Sequence, residues 1–152
     1  MQLIIFVGGQ ASGKSTFFKQ YFADTHIRIN LDMLKTRHRE KLIFEACLNA
    51  KQKCVIDNTN PTLDDRKRYV DLAKQAGFEI VCYYFHSDLK NALKRNSERE
   101  GKACIPEIGV RATYKKIKIP QLSEGFEIIY QVKILQGQEF SISILDQINN
   151  AS

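Results

Sequence analysis

The segment Gly8-Gly9-Gln10-Ala11-Ser12-Gly13-Lys14-Ser15, directly after the unbroken apolar run LIIFV at 3–7, constrains this chain more than any other feature. A run that is apolar at every position suits a strand covered on both faces. The octet has the spacing G-x-x-x-x-G-K-[ST]. Its glycines let backbone N–H groups close around phosphate oxygens, and the start of the following helix adds partial positive charge. A strand before the loop and a helix after it, here from about Gly13 to Ala23, are the context the motif requires. Residues Gly8 through Thr16 are therefore expected to wrap the phosphates of a nucleotide. Lys14 would reach the β- and γ-phosphates, and the Ser15 hydroxyl would ligate Mg²⁺. No N-K-x-D-like segment for a guanine base is present, so ATP with Mg²⁺ is the expected cofactor pair.

The remaining chain alternates. HIRIN (26–30) reads as a short strand, 33–51 as one long basic helix, and KCVID (53–57) as a second buried strand. Thr62 and Asp65 have capping-box spacing and open a helix that Gly77 closes. EIVCYYF (79–85) is a strand, and Ser87 is the expected cap of the next helix. Pro106 suits the first position of a helix to about Lys118. FEIIYQVKIL (126–135) and EFSISIL (139–145) flank the turn QGQ as a hairpin. This order predicts an α/β fold with a doubly wound, mainly parallel sheet and helices on both faces. At 152 residues the expectation is a single domain, 1–152, with a lid at about 94–105 and a C-terminal hairpin at about 126–145. The length also argues against a ring-forming AAA-type motor. Four cysteines without a CxxC pair read as reduced thiols in a cytoplasmic setting, and no apolar run is long enough for a membrane span.

Two carboxylates end predicted strands, where ligands of such sheets bind. Asp57 closes the run CVI and would support the Mg²⁺ shell beside Ser15; a turn or cap role is the alternative. Asp32 follows the strand at 26–30. It suits a base that accepts the proton of a hydroxyl undergoing phosphorylation, with helix capping as the alternative. Arg95 and Arg99, on a basic stretch before a glycine, could close over the γ-phosphate and neutralise charge there, or belong to a solvated helix face.

The chain resembles the kinase domain of polynucleotide 5′-hydroxyl kinases, both phage-type and animal, through at least residues 3–132. The likeness rests on VGGQASGKSTF (7–17), INLD (29–32), VIDNTNP (55–61), LKRNSERE (93–100), IPEIGVRATYKK (105–116) and PQLSEGFEII (120–129). The resemblance implies that Lys14 and Ser15 hold phosphate and metal, Asp32 is the general base, and Arg99 contacts the transferring phosphoryl group. Arg95 matches a lid arginine of the phage pattern alone. Lys35 and Asn58 fall at acceptor-side positions. The implied partner is a nucleic acid 5′-hydroxyl end, DNA or RNA, and the implied product is a 5′-phosphate without 3′-phosphate removal. Departures concern the acceptor more than the chemistry. Leu31 replaces an arginine before the base, Lys35 replaces a substrate-binding arginine, and Gln10-Ala11 replaces Pro-Gly in the loop. Lysine cannot make arginine's planar bidentate contact.

A small-molecule kinase of the gluconate or shikimate type, or a nucleotide-binding module without transfer, are the competing readings. The net charge of +6 bears on them. Residues 90–118 hold nine basic against three acidic side chains, an excess equal to the whole net charge. A polyanionic acceptor bound there would lose affinity steeply with salt.

Overall fold

In the computed structural model, which describes residues 1–101 and 104–145, the chain is built on one six-stranded sheet. The strands are β1 (Gln2–Val7), β2 (Ile27–Ile29), β3 (Cys54–Ile56), β4 (Glu79–Phe85), β5 (Ile128–Ile134) and β6 (Phe140–Ile144), in the order β2-β3-β1-β4-β5-β6. The first five are parallel and β6 returns antiparallel on β5, which bears out the predicted doubly wound sheet and hairpin. Lys102 and part of the expected lid lie outside the described residues.

Side-chain alternation along β1 divides the core. Leu3, Ile5 and Val7 face α3 (Arg37–Asn49) and α4 (Leu63–Gln75), meeting Phe44, Cys47, Leu48, Tyr69, Val70 and Ala73. Ile4 and Phe6 face the opposite way, onto Phe17 and Phe18 of α1 (Lys14–Tyr21). Leu3 to Val7 are at most 1% exposed. Burying each such side chain contributes roughly 1.5–3 kcal/mol, and a one-residue slip would exchange the two faces. The register of β1 is thereby pinned, and with it the loop at its carboxyl end. The order runs outward on both sides of β1, so the crevice beyond its carboxyl end is the topological switch point.

Three local expectations change. The stretch 33–51 is not one helix: α2 (Leu31–Leu34) ends at Lys35, whose φ is 76°, and α3 starts afresh. Thr36 is the reason, since its Oγ1 accepts the Arg39 N–H and caps α3. Asp88, not Ser87, caps α5 (Leu89–Ser97), its Oδ1 accepting the Asn91 N–H at 2.8 Å. Pro106 stands at the N-cap of α6 (Glu107–Lys116) instead of inside it, and that helix ends two residues early. The capping box at Thr62 and Asp65 forms as predicted. All four cysteines are free, three buried and Cys104 exposed. No helix among the described residues is long and apolar enough to cross a membrane.

Candidate active site

One broad cleft of about 1220 Å³ opens at the switch point. Its floor is the loop between β1 and α1. Gly13 takes φ 96° at the start of α1, and Ser12 Oγ closes the turn by donating to the Gly9 carbonyl at 2.7 Å. Ala11 also lies in the left-handed region, at φ 59°, although a Cβ there costs roughly 1–2 kcal/mol. Gly9 and Gly13 alone do not carry the turn, then: the residue in the place of the usual glycine is itself strained, and Arg95 Nε holds its carbonyl at 2.7 Å.

Lys14 lies over this loop, its Nζ donating to the carbonyls of Gly8 at 2.8 Å and Gly9 at 2.7 Å. Burial lowers its pKa from 10.5 to about 8. Asp57 opposes that shift, Arg99 reinforces it and Asp32 opposes it. Three side chains expected at the site from sequence thus act on one ammonium. Arg99 is exposed on the loop after α5, and Asp32 is exposed in the first turn of α2; both line the cleft.

Ser15 and Asp57, the pair expected to hold Mg²⁺, are bridged by Arg28. Asp57 is buried, and its Oδ2 accepts Arg28 Nε at 2.7 Å, while Arg28 Nη2 donates to Ser15 Oγ at 3.0 Å. The two oxygens therefore converge on one cationic group, which is the donor chemistry a hard divalent ion such as Mg²⁺ takes. Sequence reasoning missed Arg28. It is one arginine in a short edge strand, and its partners are 13 and 29 residues away.

The turn carrying Asp32 is held from behind. Asn30 Oδ1 caps α2 by accepting the Met33 N–H, and its Nδ2 donates to the Asp57 carbonyl at 2.6 Å. Asn58 Oδ1 accepts the Leu31 N–H at 2.9 Å, and its Nδ2 donates to Glu40 Oε2. Buried Glu40 also accepts from Tyr69 Oη and Arg37 Nη1. Asn58, expected at the acceptor, is thus fully engaged in positioning the residue before Asp32. Glu40 carried no signal in the sequence beyond membership of a basic helix. Lys35 lines the cleft beside Asp32, with Arg37 and Lys116.

On the opposite wall, Tyr114 Oη and Thr113 Oγ1 grip Gln10, through its carbonyl and its side-chain amide, both at 3.0 Å. Arg95 spans from the Ala11 carbonyl to Ser87 Oγ, so it braces the phosphate loop. Asn96 pairs both ends of its amide with the Ile105 backbone, at 2.6 and 2.9 Å, joining the end of α5 to the start of α6.

The chain is similar to several known proteins. The chain is 32% identical over 136 residues to a bifunctional polynucleotide phosphatase/kinase of Schizosaccharomyces pombe, covering 86% of this chain and 33% of that protein. A putative bifunctional polynucleotide phosphatase/kinase of Acanthamoeba polyphaga mimivirus is 28% identical, over 95% of this chain and 35% of that protein. The L-seryl-tRNA(Sec) kinase of Methanococcus maripaludis is 27% identical, over 83% and 56%. The chain spans about a third of the length of the first two. Among solved structures, a gluconokinase from Sinorhizobium meliloti superposes with a TM-score of 0.63 at 16% identity, covering 90% of this chain and 85% of that one, which shows the shared fold. A family model described as an AAA domain matches residues 35–118, from the end of α2 to just past α6. With more than half its length inside that match and a phosphate loop preceding it, the chain belongs to the AAA domain family of P-loop proteins.

Proposed function

We propose that this chain is an ATP-dependent kinase that transfers the γ-phosphate to the 5′-hydroxyl end of a nucleic acid. The observation that carries the reading is the exposed Asp32 carboxylate. Among the described residues it makes no hydrogen bond or ion pair, yet it acts on the Lys14 ammonium across the cleft. A carboxylate left free across the cleft from the lysine expected on the phosphates suits the acceptor of a proton from an incoming hydroxyl. Lys14 and Arg99 would neutralise the charge that spreads over the transferring phosphoryl group. Ser15 and Asp57 would hold Mg²⁺, which when bound supplies further positive charge at the β- and γ-phosphates.

The acceptor side supports a polyanion. Lys35, Arg37 and Lys116 line the same cleft as Asp32, Arg37 being paired with Glu40. The two relatives named polynucleotide phosphatase/kinase support a nucleic acid end as the acceptor. The relative named L-seryl-tRNA(Sec) kinase favours a second reading, a hydroxyl on an RNA-linked aminoacyl group.

The test is γ-labelled ATP with Mg²⁺ and three acceptors: 5′-hydroxyl DNA, 5′-hydroxyl RNA and a panel of small hydroxyl metabolites. Label is expected on an oligonucleotide 5′-end and is expected to vanish in Asp32→Asn while ATP binding persists. Transfer to a metabolite alone would replace the reading with the small-molecule kinase. Full transfer by Asp32→Asn would remove Asp32 as the base.

A further inference from the structure

Arg28 has no part in the reaction described above, yet it stands at its centre. Its guanidinium spans Ser15 Oγ and Asp57 Oδ2, the two oxygens that would hold the divalent ion. An arginine cannot shed its proton in a protein, so this charge cannot be relieved by titration. Asp57 is 2% exposed at its side chain and Arg28 is 26% exposed. The carboxylate is therefore fixed in the interior, while the cation has a path to solvent. In this position the guanidinium also lies over the Phe18 ring, with its Cζ 5.9 Å from the centroid, a contact that metal would have to break as well. Asn30 Nδ2 and the Ile29 carbonyl hold the Asp57 backbone, at 2.6 and 2.8 Å, so the carboxylate does not follow.

We propose that Arg28 is a built-in competitor of the divalent cation: metal entering between Ser15 and Asp57 must displace its guanidinium. Two cations cannot share these oxygens without strong repulsion, because little water screens them there. A nucleotide without metal meets a site whose cation is already present and keeps Arg28 in place. A metal-bearing nucleotide must push Arg28 out. Arg28 thus narrows the advantage of metal-bound over metal-free nucleotide and raises the Mg²⁺ concentration at which the site fills. It is a specificity-determining residue for the metal, set on the edge strand β2 and not in the phosphate loop. The inference rests on reading residues 8–16 as the phosphate site.

The experiment measures ADP binding by calorimetry across a Mg²⁺ series, in the wild-type chain and in Arg28→Gln. The Mg²⁺ concentration giving half the metal-dependent gain in ADP affinity is expected to fall about tenfold in Arg28→Gln. An unchanged or higher midpoint would overturn the proposal. A second measurement needs no variant. The Arg28 Nε–H, bonded to Asp57, should exchange slowly with water in the metal-free ADP complex and lose that protection when Mg²⁺ is added. Protection that persists at saturating Mg²⁺ also overturns it. Failure of the wild-type chain to bind ADP at any Mg²⁺ concentration is a different result, which removes the phosphate-site reading itself.

Discussion

The ring of Tyr114 lies against Gly9, so close that a methyl group on Gly9 would overlap its Cε2, Cζ and Cδ2 atoms. Helix α6 is therefore seated on the phosphate loop by a contact that only glycine permits. The Tyr114 hydroxyl adds a hydrogen bond to the Gln10 carbonyl at 3.0 Å. Gly9→Ala is expected to abolish nucleotide binding while the fold, read by circular dichroism, survives. Tyr114→Phe keeps the ring and loses one hydrogen bond, which lowers stability by about 1 kcal/mol in urea unfolding.

Arg66 and Glu124 form a bidentate ion pair at 2.8 and 3.2 Å, with the arginine side chain 0% and the glutamate 8% exposed. Arg66 also donates to the carbonyls of Asn60 and Lys118. The pair ties α4 to the turn before β5, and Arg66 adds the loop after β3 through the Asn60 carbonyl. Removing one partner strands a buried charge, so Glu124→Gln should cost about 3–5 kcal/mol in chemical denaturation. A loss below about 1 kcal/mol would mean that the pair contributes little.

Lys14 gives a pH signature. Its pKa is lowered to about 8, chiefly by burial, and a bound phosphate favours the protonated form. Below pH 8 the ammonium is already charged, and affinity for metal-free ADP should be flat. Above pH 8 the free protein must first take up a proton, so affinity should fall, approaching tenfold per pH unit. Calorimetry from pH 6.5 to 9.5 checks this. A flat profile through pH 9.5 would contradict the lowered value.

Arg99 is exposed on the loop after α5 but acts on Lys14 through its charge. If it neutralises the transferring phosphoryl group, Arg99→Ala should lower kcat on the order of 10³-fold and leave ATP affinity nearly unchanged. Arg95→Ala should behave differently. Its guanidinium holds the Ala11 carbonyl, so its loss is expected to weaken nucleotide binding itself.

What could be read from the sequence was local or periodic. The apolar run at 3–7, the glycine spacing that follows it and the Thr62–Asp65 box each declare their structure within a few residues. The carboxylates at 32 and 57 were legible because strand ends in a parallel sheet all face one crevice. The break at Lys35 was hidden because basic residues continue helical spacing on both sides of it, and Thr36 alone marks the new start. Arg28 and Glu40 were hidden for another reason. Their roles depend on partners 13 to 29 residues away, and neither stands in a recognisable spacing. The strain at Ala11 was invisible because its compensation comes from Arg95, 84 positions later.

The Asn96–Ile105 pairing fastens the end of α5 to the start of α6. Arg95 and Tyr114, which hold the phosphate loop from those two helices, are thereby joined through one buried amide. The two helices form a single clasp over the phosphate loop, and loosening that amide would release both of its grips at once.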